Sequence, residues 1–469
     1  MAITRRQFIT RTGLAAAGSF FGPSLFRNPW LSQALAATIG DRYFVVVFLN
    51  GGNDGLNTVA PIANGGSGSL RTVYQQVRHT GSGGLQLSAS ELAATAIGSD
   101  PNTATPLALH PGLIGLKNLY DVGKVAVIQG CGYPDYNLSH DVSRRAWQTA
   151  LSASSTSGWL GRYLAANYGA TDIPGVTVTN EIAKEFQQTT TSVLAIRRLN
   201  RFGFPHDPID AGDIPAKDAA FSALHQAAGS SLQATLSFVG NAGAATLTAT
   251  QSYPALDQDY KNDRPSYNQQ YSDLGTGFAR DIREVAKVIY GVKRGVPNVN
   301  ARFFEVQNGG YDTHSNQGGG SASSRHYKLH REVGDALELF YDDLNDMGVA
   351  DKLAIVVWSE FSRRVAQNDN GTDHGSQGPM FVIGGAVNGG VYGNHPNINS
   401  AALNNDGNTH YSQAAGDPYR STDFRDVYGT LLKHWLNMPQ STILSTVLAL
   451  DTLDPASYWT VPNFDLGFV

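Results

Sequence analysis

The chain has 469 residues, of which 41% are hydrophobic and 16% are charged, and its formal net charge is −5 at pH 7. A chain of this length can bury a sizeable core, and one large α/β unit is compatible with it. No stretch concentrates Lys and Arg, which argues against nucleic acid and anionic membranes as partners.

The N-terminus has the three parts of a secretory signal. A basic region contains Arg5 and Arg6, a short Gly- and Ala-rich apolar stretch follows, and an A-x-A cleavage pattern ends at Ala36. We therefore predict a twin-arginine signal over residues 1–36, a single mature domain over residues 37–469, and a periplasmic or secreted location. The apolar stretch is too short to span a bilayer, and no transmembrane segment is predicted in the mature chain. A basic amphipathic helix that belongs to the fold is the alternative.

The first predicted strand covers residues 43–49, an apolar run of the kind that is buried on both faces of a parallel sheet. Gly51 and Gly52 end this strand in a tight turn. In one interpretation Asp54 then faces a pocket, where its carboxylate suits a divalent cation. In the other interpretation, Asn53 and Asp54 form an Asx turn or cap a helix.

Residues 65–100 are rich in Gly, Ser and Ala without a clear period, which predicts a surface excursion. A short helix is predicted over residues 113–120 and a strand over residues 125–129. Cys131 is the only cysteine, so an intramolecular disulfide is excluded, and we interpret it as a small buried residue without a function. His110 is interpreted as structural.

Ser139 and His140 precede a predicted helix over residues 141–151. A helix N-terminus favours anions, so the Ser139 hydroxyl is a candidate nucleophile or a contact for phosphate or sulfate. The alternative is that Ser139 only caps the helix, as Ser commonly does at this position. His140 is a candidate metal ligand, general base or packed residue.

The second half of the chain indicates the fold class. Residues 175–204 predict β-rich structure, and helices are predicted over 217–238, 274–292 and 423–436. Residues 303–358 predict a strand over 303–306, a loop, a helix over 326–347 with apolar residues at spacings of three and four, and a second strand over 353–358. This is the βαβ unit of a parallel sheet. We therefore predict an α/β fold with a doubly wound, mostly parallel sheet and helices on both faces.

Carboxylate and imidazole side chains recur where the predicted strands end. Asp312 and His314 follow the first strand of the βαβ unit, and Glu360 follows the second. Asp312 and His314 can coordinate one metal ion from an extended loop, and His374 adds another imidazole. Ligands collect outside the carboxyl ends of strands in an open α/β sheet, so these segments can converge at one site.

Three polar residues are candidate substrate contacts: Asn53, Arg363 and Asp373. Arg is a favoured binder of oxyanions, so Arg363 can neutralise an anionic substrate. The alternative is that Arg363 and Arg364 form a solvated surface feature.

Seven motifs together carry a resemblance to known proteins. They are residues 48–55, 139–140, 158–162, 311–314, 359–361, 373–375 and 422–428. With the signal, they make the chain similar to a bacterial family of twin-arginine-exported proteins of unknown function. That family is sulfatase-like and is related to the alkaline phosphatase and sulfatase superfamily. The resemblance implies an alkaline phosphatase/sulfatase-like α/β fold.

The resemblance also implies a site with two metal ions and a Ser nucleophile. The implied nucleophile is Ser139, and the implied metal ligands are Asp54, Asp312, His314, Glu360 and His374; His140 is the second candidate catalytic residue, from its position beside Ser139. The chain departs from the superfamily in two places. The loop pair has the short Asp-x-His spacing, and Phe361 stands where a His is expected. One metal site therefore lacks an imidazole unless His140 or Asp373 replaces it.

The leading hypothesis is an exported metal-dependent hydrolase of phosphate or sulfate esters. Ser139 or a metal-bound water would be the nucleophile, and His140 would assist proton transfer. The cofactor would be one or two divalent ions (Zn, Mn, Mg or Ca), and the substrate a small anionic ester or a sulfated or phosphorylated glycan. The alternative, favoured by Phe361, is a non-catalytic periplasmic binding or assembly protein with a degraded metal site. A dinucleotide-dependent oxidoreductase is disfavoured because residues 51–55 lack the G-x-G-x-x-G spacing.

Overall fold

The computed structural model describes the greater part of the chain. The described residues are 41–66, 68–134, 136–150, 155–188, 190–204, 211–398, 417, 420–448 and 462–469. The predicted signal over residues 1–36 lies outside these described residues.

Strands of the described chain form one large sheet and two small ones. In chain order they are Tyr43–Asn50 (β1), Val59–Pro61 (β2), Ala96–Ser99 (β3), Pro106–Leu109 (β4), Val125–Gly132 (β5), Gly175–Thr177 (β6), Val193–Ala195 (β7), Phe303–Gly309 (β8), Leu353–Trp358 (β9), Ser362–Arg363 (β10), His374–Gly375 (β11), Gly378–Ile383 (β12), Gly390–Tyr392 (β13) and Thr422–Asp423 (β14). The large sheet has the order β13-β5-β12-β9-β1-β8-β6-β7, with β14 beside the end of β5. Strands β2, β4 and β3 form a second sheet, and β10 pairs with β11.

The direction of the strands brings several loops to one edge of the large sheet. β1 pairs in parallel with β8 on one side and with β9 on the other. β12 is antiparallel to both β9 and β5, so β5 runs in the same direction as β1, β8 and β9. The carboxyl ends of these four strands, and the amino end of β12, therefore lie at the same edge.

Helices cover both faces of the large sheet. In chain order the α-helices are Gly55–Thr58 (α1), Leu70–Val77 (α2), Ala89–Leu92 (α3), Ile114–Asp121 (α4), His140–Thr149 (α5), Trp159–Asn167 (α6), Ile214–Gly229 (α7), Ala234–Asp263 (α8), Pro265–Asp273 (α9), Gly277–Lys293 (α10), Arg325–Asp346 (α11), Phe424–Thr430 (α12) and Gln440–Thr442 (α13). π-helical turns over Leu431–Trp435 and Ile443–Val447 continue α12 and α13.

The core lies in two layers separated by the sheet. Alternate residues of β1 enter alternate layers: Val45 and Val47 pack with α4, α8, α10 and α11, whereas Phe44 and Val46 pack with α5, α6 and α12. A strand with both faces buried must be apolar throughout, which is why β1 lacks a polar alternation. The unit β8-α11-β9 is the βαβ crossover that the sequence predicts. The doubly wound, mostly parallel α/β fold is confirmed.

Two stretches fold differently from their predictions. The predicted surface excursion over residues 65–100 is wrong, because Tyr74, Leu87 and Leu92 are fully buried in a third, smaller core. Sparse apolar residues in a Gly- and Ser-rich stretch gave no periodic signal. The β-rich prediction for residues 175–204 is also largely wrong, since only the three-residue strands β6 and β7 form there.

Helix boundaries also differ from the predictions. The single helix predicted over residues 217–238 is broken: α7 ends at Gly229, and α8 begins at Ala234. The strand predicted over residues 353–358 agrees with β9, and Cys131 is buried as predicted.

Among the helices of the described residues, none has the length and apolarity that crossing a lipid bilayer requires.

Candidate metal centre

Three side chains from distant segments converge at the shared edge of the sheet. His140 is the first residue of α5, Asp312 lies in the loop after β8, and His374 lies on β11. Each offers one ligand atom, and these atoms all lie within 4.8 Å of one another. This group could hold a metal ion.

His140 is oriented by a buried carboxylate. Its Nδ1 lies 2.8 Å from Glu360 Oε1, and this hydrogen bond raises the pKa of His140 while burial opposes the rise. In the neutral ring the proton therefore sits on Nδ1. The Nε2 atom is buried without a hydrogen-bond partner, 3.5 Å from Asp312 Oδ2. A lone pair on Nε2 is thus left for a ligand at the centre of the group.

His374 is oriented in the same way by the backbone. Its Nδ1 lies 2.7 Å from the carbonyl oxygen of Leu138, which fixes the proton on Nδ1. Nε2 lies 3.4 Å from Asp312 Oδ1. Burial lowers the pKa of His374, so the ring is neutral at pH 7. A neutral imidazole with a tied Nδ1 is the form that binds metals through Nε2.

Glu360 lies behind His140. It is fully buried and accepts hydrogen bonds from the backbone N–H groups of Gly51 at 3.0 Å and Gly52 at 3.1 Å. The sequence predicted a metal ligand at Glu360, but the structure places the carboxylate as the partner of His140. Carboxylate–histidine pairs of this kind orient the ligands of metal sites.

The glycines beside Glu360 are required by a close approach. Gly51 and Gly52 have positive φ values of 126° and 74°. A Cβ on Gly52 would lie 2.2 Å from the ring of Phe361, which packs against the rings of His140 and His374. Phe361 therefore fills the place where the superfamily resemblance implied a second imidazole.

Asp312 is the half-exposed carboxylate of the group, and 47% of its side chain is accessible. Burial alone would raise the pKa of Asp312, but the hydrogen bond and charge of Arg363 and the charge of His314 outweigh burial, and the pKa falls to about 2. The carboxylate is therefore ionised at neutral pH. His314 Nδ1 lies 2.8 Å from Asp312 Oδ1 and stands at the rim. We refer to His140, His314 and His374 as the outer histidines.

Asp54 does not join this group. It is fully buried, and Arg78 donates to both of its carboxylate oxygens at 2.7 and 2.9 Å. Gln317 also donates to Asp54, and Asp54 caps α1 by accepting from the N–H of Asn57. The capping alternative is therefore the arrangement that the structure has. The sequence did not indicate Arg78 as the partner of Asp54, because Arg78 lies in the stretch that was predicted to be a surface excursion.

Ser139 occupies the N-cap position of α5 but makes no capping hydrogen bond with its side chain. The residue is exposed, and its backbone N–H donates to Asn137 Oδ1 at 2.8 Å. Its hydroxyl is therefore not engaged in capping, contrary to the alternative interpretation.

The three candidate substrate contacts have different surroundings. Arg363 is buried, and its guanidinium donates to Asp312 and to the carbonyl oxygens of Gly52 and Thr372, so it organises the site and does not face solvent. Asn53 is buried as well and bonds inward. Asp373 is exposed beside His374.

The sequence interpretation missed a second group of imidazoles, which we call the inner histidines: His110, His326 and His330. Their ring centroids lie 4.1 to 4.9 Å apart, and all three are fully buried. Asn53 Oδ1 lies 3.0 Å from His326 Nε2, and Thr58 Oγ1 lies 3.1 Å from His330 Nε2. The signal that could have indicated this group is the spacing of four residues on α11, which places two of them on one helix face.

Comparisons with known proteins add a family and two distant structures. A family model described as "Protein of unknown function (DUF1501)" matches residues 124–440, more than half of the chain. No curated protein matches the chain. Among solved structures, the lipoteichoic acid synthase LtaP from Listeria monocytogenes is similar at 10% identity with a TM-score of 0.30, over 77% of this chain and 73% of that one. The PsFucS1 sulfatase from Pseudoalteromonas sp. is similar at 10% identity with a TM-score of 0.31, over 88% and 73%.

Proposed function

The chain belongs to the DUF1501 family, and from this premise we propose that it is an exported metal-dependent hydrolase of phosphate or sulfate esters. The observation that carries the proposal is the convergence of His140, Asp312 and His374 at one edge of the sheet. Two oriented imidazoles and one ionised carboxylate are the kind of ligands that catalytic metal sites use.

The side chains at the centre fit a divalent ion. His140 Nε2 is buried without a hydrogen-bond partner, and both imidazoles keep their protons on Nδ1 through Glu360 and the Leu138 carbonyl. Among the candidate ions, imidazole ligands favour Zn, whereas Mn, Mg and Ca prefer oxygen ligands. The arrangement supports one ion at this group, because Asp54 is committed to Arg78.

The chain's own residues divide the remaining tasks. When bound, a divalent ion supplies Lewis acidity that polarises an ester oxygen and lowers the pKa of the nucleophile. Ser139 offers an exposed hydroxyl directly before His140, at the N-terminus of α5, where the helix dipole favours anions. Arg363 keeps Asp312 ionised, and Glu360 holds the proton of His140 on Nδ1. The substrate would be a small anionic ester or a sulfated or phosphorylated glycan.

The test combines metal content with turnover on the full chain purified without chelators or affinity metal. We expect about one equivalent of a divalent ion, with hydrolysis of an aryl phosphate or aryl sulfate. Asp312→Asn should lose both the ion and the turnover, whereas Ser139→Ala should keep the ion and lose turnover. His434→Asn is the matched control, because His434 bonds to Asp465 and not to the cluster. A metal-free protein that takes up no added ion would refute the proposal.

A second candidate function is a non-catalytic periplasmic binding or assembly protein. Two observations favour it: Arg78 occupies Asp54, and Phe361 fills the place of an expected imidazole. This candidate predicts that the ion binds without turnover on either ester class, and that Ser139→Ala changes no measured property.

A further inference from the structure

The stretch from residue 219 to residue 256 contains no Asp, Glu, Lys or Arg. Charged residues make up 16% of the whole chain, so about six would be expected in a stretch of this length. The stretch is bounded by Asp218 and Asp257. It includes most of α7 and about the first three-quarters of α8, which are joined by a short turn and form a helical hairpin.

The two helices of the hairpin pack closely through small residues. A Cβ on Gly240 would lie 2.1 Å from the backbone N of Gly229, and a Cβ on Gly243 would meet the ring of His225. Ser237 Oγ donates to the carbonyl oxygen of Gly229 at 2.9 Å. The inner side of the hairpin is therefore occupied by the contact between its own two helices.

The outer side carries exposed apolar residues. Eight large hydrophobic side chains are exposed in the described chain, and four of them lie here: Leu224, Leu232, Leu236 and Val239. Leu236 and Val239 are three residues apart on α8, and this spacing places them on one helix face. Leu232 lies in the turn before α8, and Leu224 lies on α7. α7 has no fully buried residue at all.

A helix derives most of its stability in water from packing of an apolar face. In the described part of a single chain, the apolar side chains on the outer faces of α7 and α8 stay exposed. We propose that a second copy of this chain covers this face, with the two hairpins packed against each other about a two-fold axis. In such an interface each copy meets the same patch of its partner. A patch without charges meets no like charge when it faces itself.

The absence of charge also selects against other occupants. A partner with charged groups in its binding surface would lose their hydration and find no counter-charge on the hairpin. An anionic lipid surface would gain no Lys or Arg contact. The partner surface must therefore be apolar and uncharged. The hairpin of a second copy has such a surface, and it is present wherever the chain itself is present.

The first test is the molar mass of the full chain in solution, measured by light scattering at micromolar concentration. We expect twice the mass of one chain for the unmodified protein, and one chain for the double variant Leu236→Glu, Val239→Glu. Val122→Glu is the matched control, because Val122 is 64% exposed on another part of the surface. That variant should remain a dimer. A monomeric unmodified protein, or a double variant that still dimerises, would overturn the proposal.

Two further measurements keep the proposal testable if the double variant folds poorly. Mixing Leu236→Glu with Leu236→Lys should restore a dimer that neither forms alone, because opposite charges then face each other across the axis. A single Val239→Cys substitution should form a disulfide-linked dimer on mild oxidation, since Cys131 is the only native cysteine and is buried. A monomer that binds phosphatidylcholine vesicles, and loses that binding on Leu236→Glu, would assign the face to lipid and overturn the proposal.

Discussion

The outer and the inner histidines are two groups of three imidazoles with similar ring spacing and different surroundings. Rings in the outer group lie 4.4 and 4.6 Å apart, which is close to the 4.1 to 4.9 Å of the inner group. The outer rings surround the ionised carboxylate of Asp312 and reach solvent. The inner rings are fully buried and bond to neutral groups.

The direction of the hydrogen bonds separates His110 from the outer histidines. In the outer group, His140 and His374 keep the proton on Nδ1 and turn Nε2 towards Asp312. In the inner group, His110 Nδ1 accepts from the N–H of Gly112 at 3.0 Å, so its proton sits on Nε2. His110 in that state offers no lone pair to a metal, whereas His326, whose Nε2 bonds Asn53 Oδ1, keeps a buried Nδ1 without a hydrogen-bond partner. Closeness of imidazoles alone therefore does not make a metal site; the hydrogen-bond partners decide which nitrogen is free, and the outer group adds the ionised carboxylate of Asp312.

The largest expected difference between the two groups is in metal binding, and the distinction fails if the outer histidines bind no metal. His374→Asn should weaken binding of Zn by more than about 100-fold, because changes to groups that only hydrogen-bond a metal ligand cost about 10- to 100-fold. His330→Gln in the inner group should leave the affinity unchanged. Calorimetric titration of the metal-free protein gives both values, and equal losses in the two variants would contradict the distinction.

Replacing Glu360 should have the next largest effect on metal affinity. Glu360→Gln should weaken metal affinity by about 10- to 100-fold, since the carboxylate holds the proton on His140 Nδ1. The same titration measures it, with a thermal unfolding curve to show that the variant folds. An affinity equal to that of the unmodified protein would mean that Glu360 only braces Gly51 and Gly52.

The inner histidines should matter for stability. His326→Ala leaves the buried Oδ1 of Asn53 without its partner and should lower the free energy of unfolding by about 1–3 kcal/mol. His314→Ala, at the exposed rim, should change it by less than about 0.5 kcal/mol. Denaturant unfolding of both variants tests the contrast, and a larger loss for His314→Ala would reverse it.

Acid should destabilise the chain through the inner histidines. Burial lowers the pKa of His110 to about 3 and lowers the pKa of His326 and His330 well below the usual value. Below about pH 6.5 the unfolded chain gains protons that the folded chain does not bind. Stability present above that pH is therefore lost as pH falls, by about 1.4 kcal/mol per pH unit for each ring.

His330→Gln isolates one of these rings. Its free energy of unfolding should depend on pH less steeply than that of the unmodified protein between pH 6 and pH 5, by about 1.4 kcal/mol per unit. Denaturant unfolding at several pH values measures the slope. Parallel curves for the two proteins would show that this ring is also protonated in the folded state.

Much of the fold was predictable because its signals are local. The apolar run of β1 and the periodic apolar face of α11 each reflect burial by nearby layers, and both were predicted with nearly correct bounds. The burial of residues 65–100 was not predictable in this way, because Tyr74 and Leu92 are buried by contacts with residues that are distant in sequence. The break between α7 and α8 was missed for a similar reason, since the small residues there pack helix against helix.

The sequence by itself determined which residues could act: the carboxylates and imidazoles after β1, β5, β8 and β9 had to meet, because parallel strands end at one edge. Only the tertiary structure decided how they divide. Arg78 pairs with Asp54, Glu360 hydrogen-bonds to His140, and Asp312 lies beside the Nε2 atoms of His140 and His374. The physical reason is that a buried charge needs a partner, and which partner is in reach depends on packing between segments far apart in the chain.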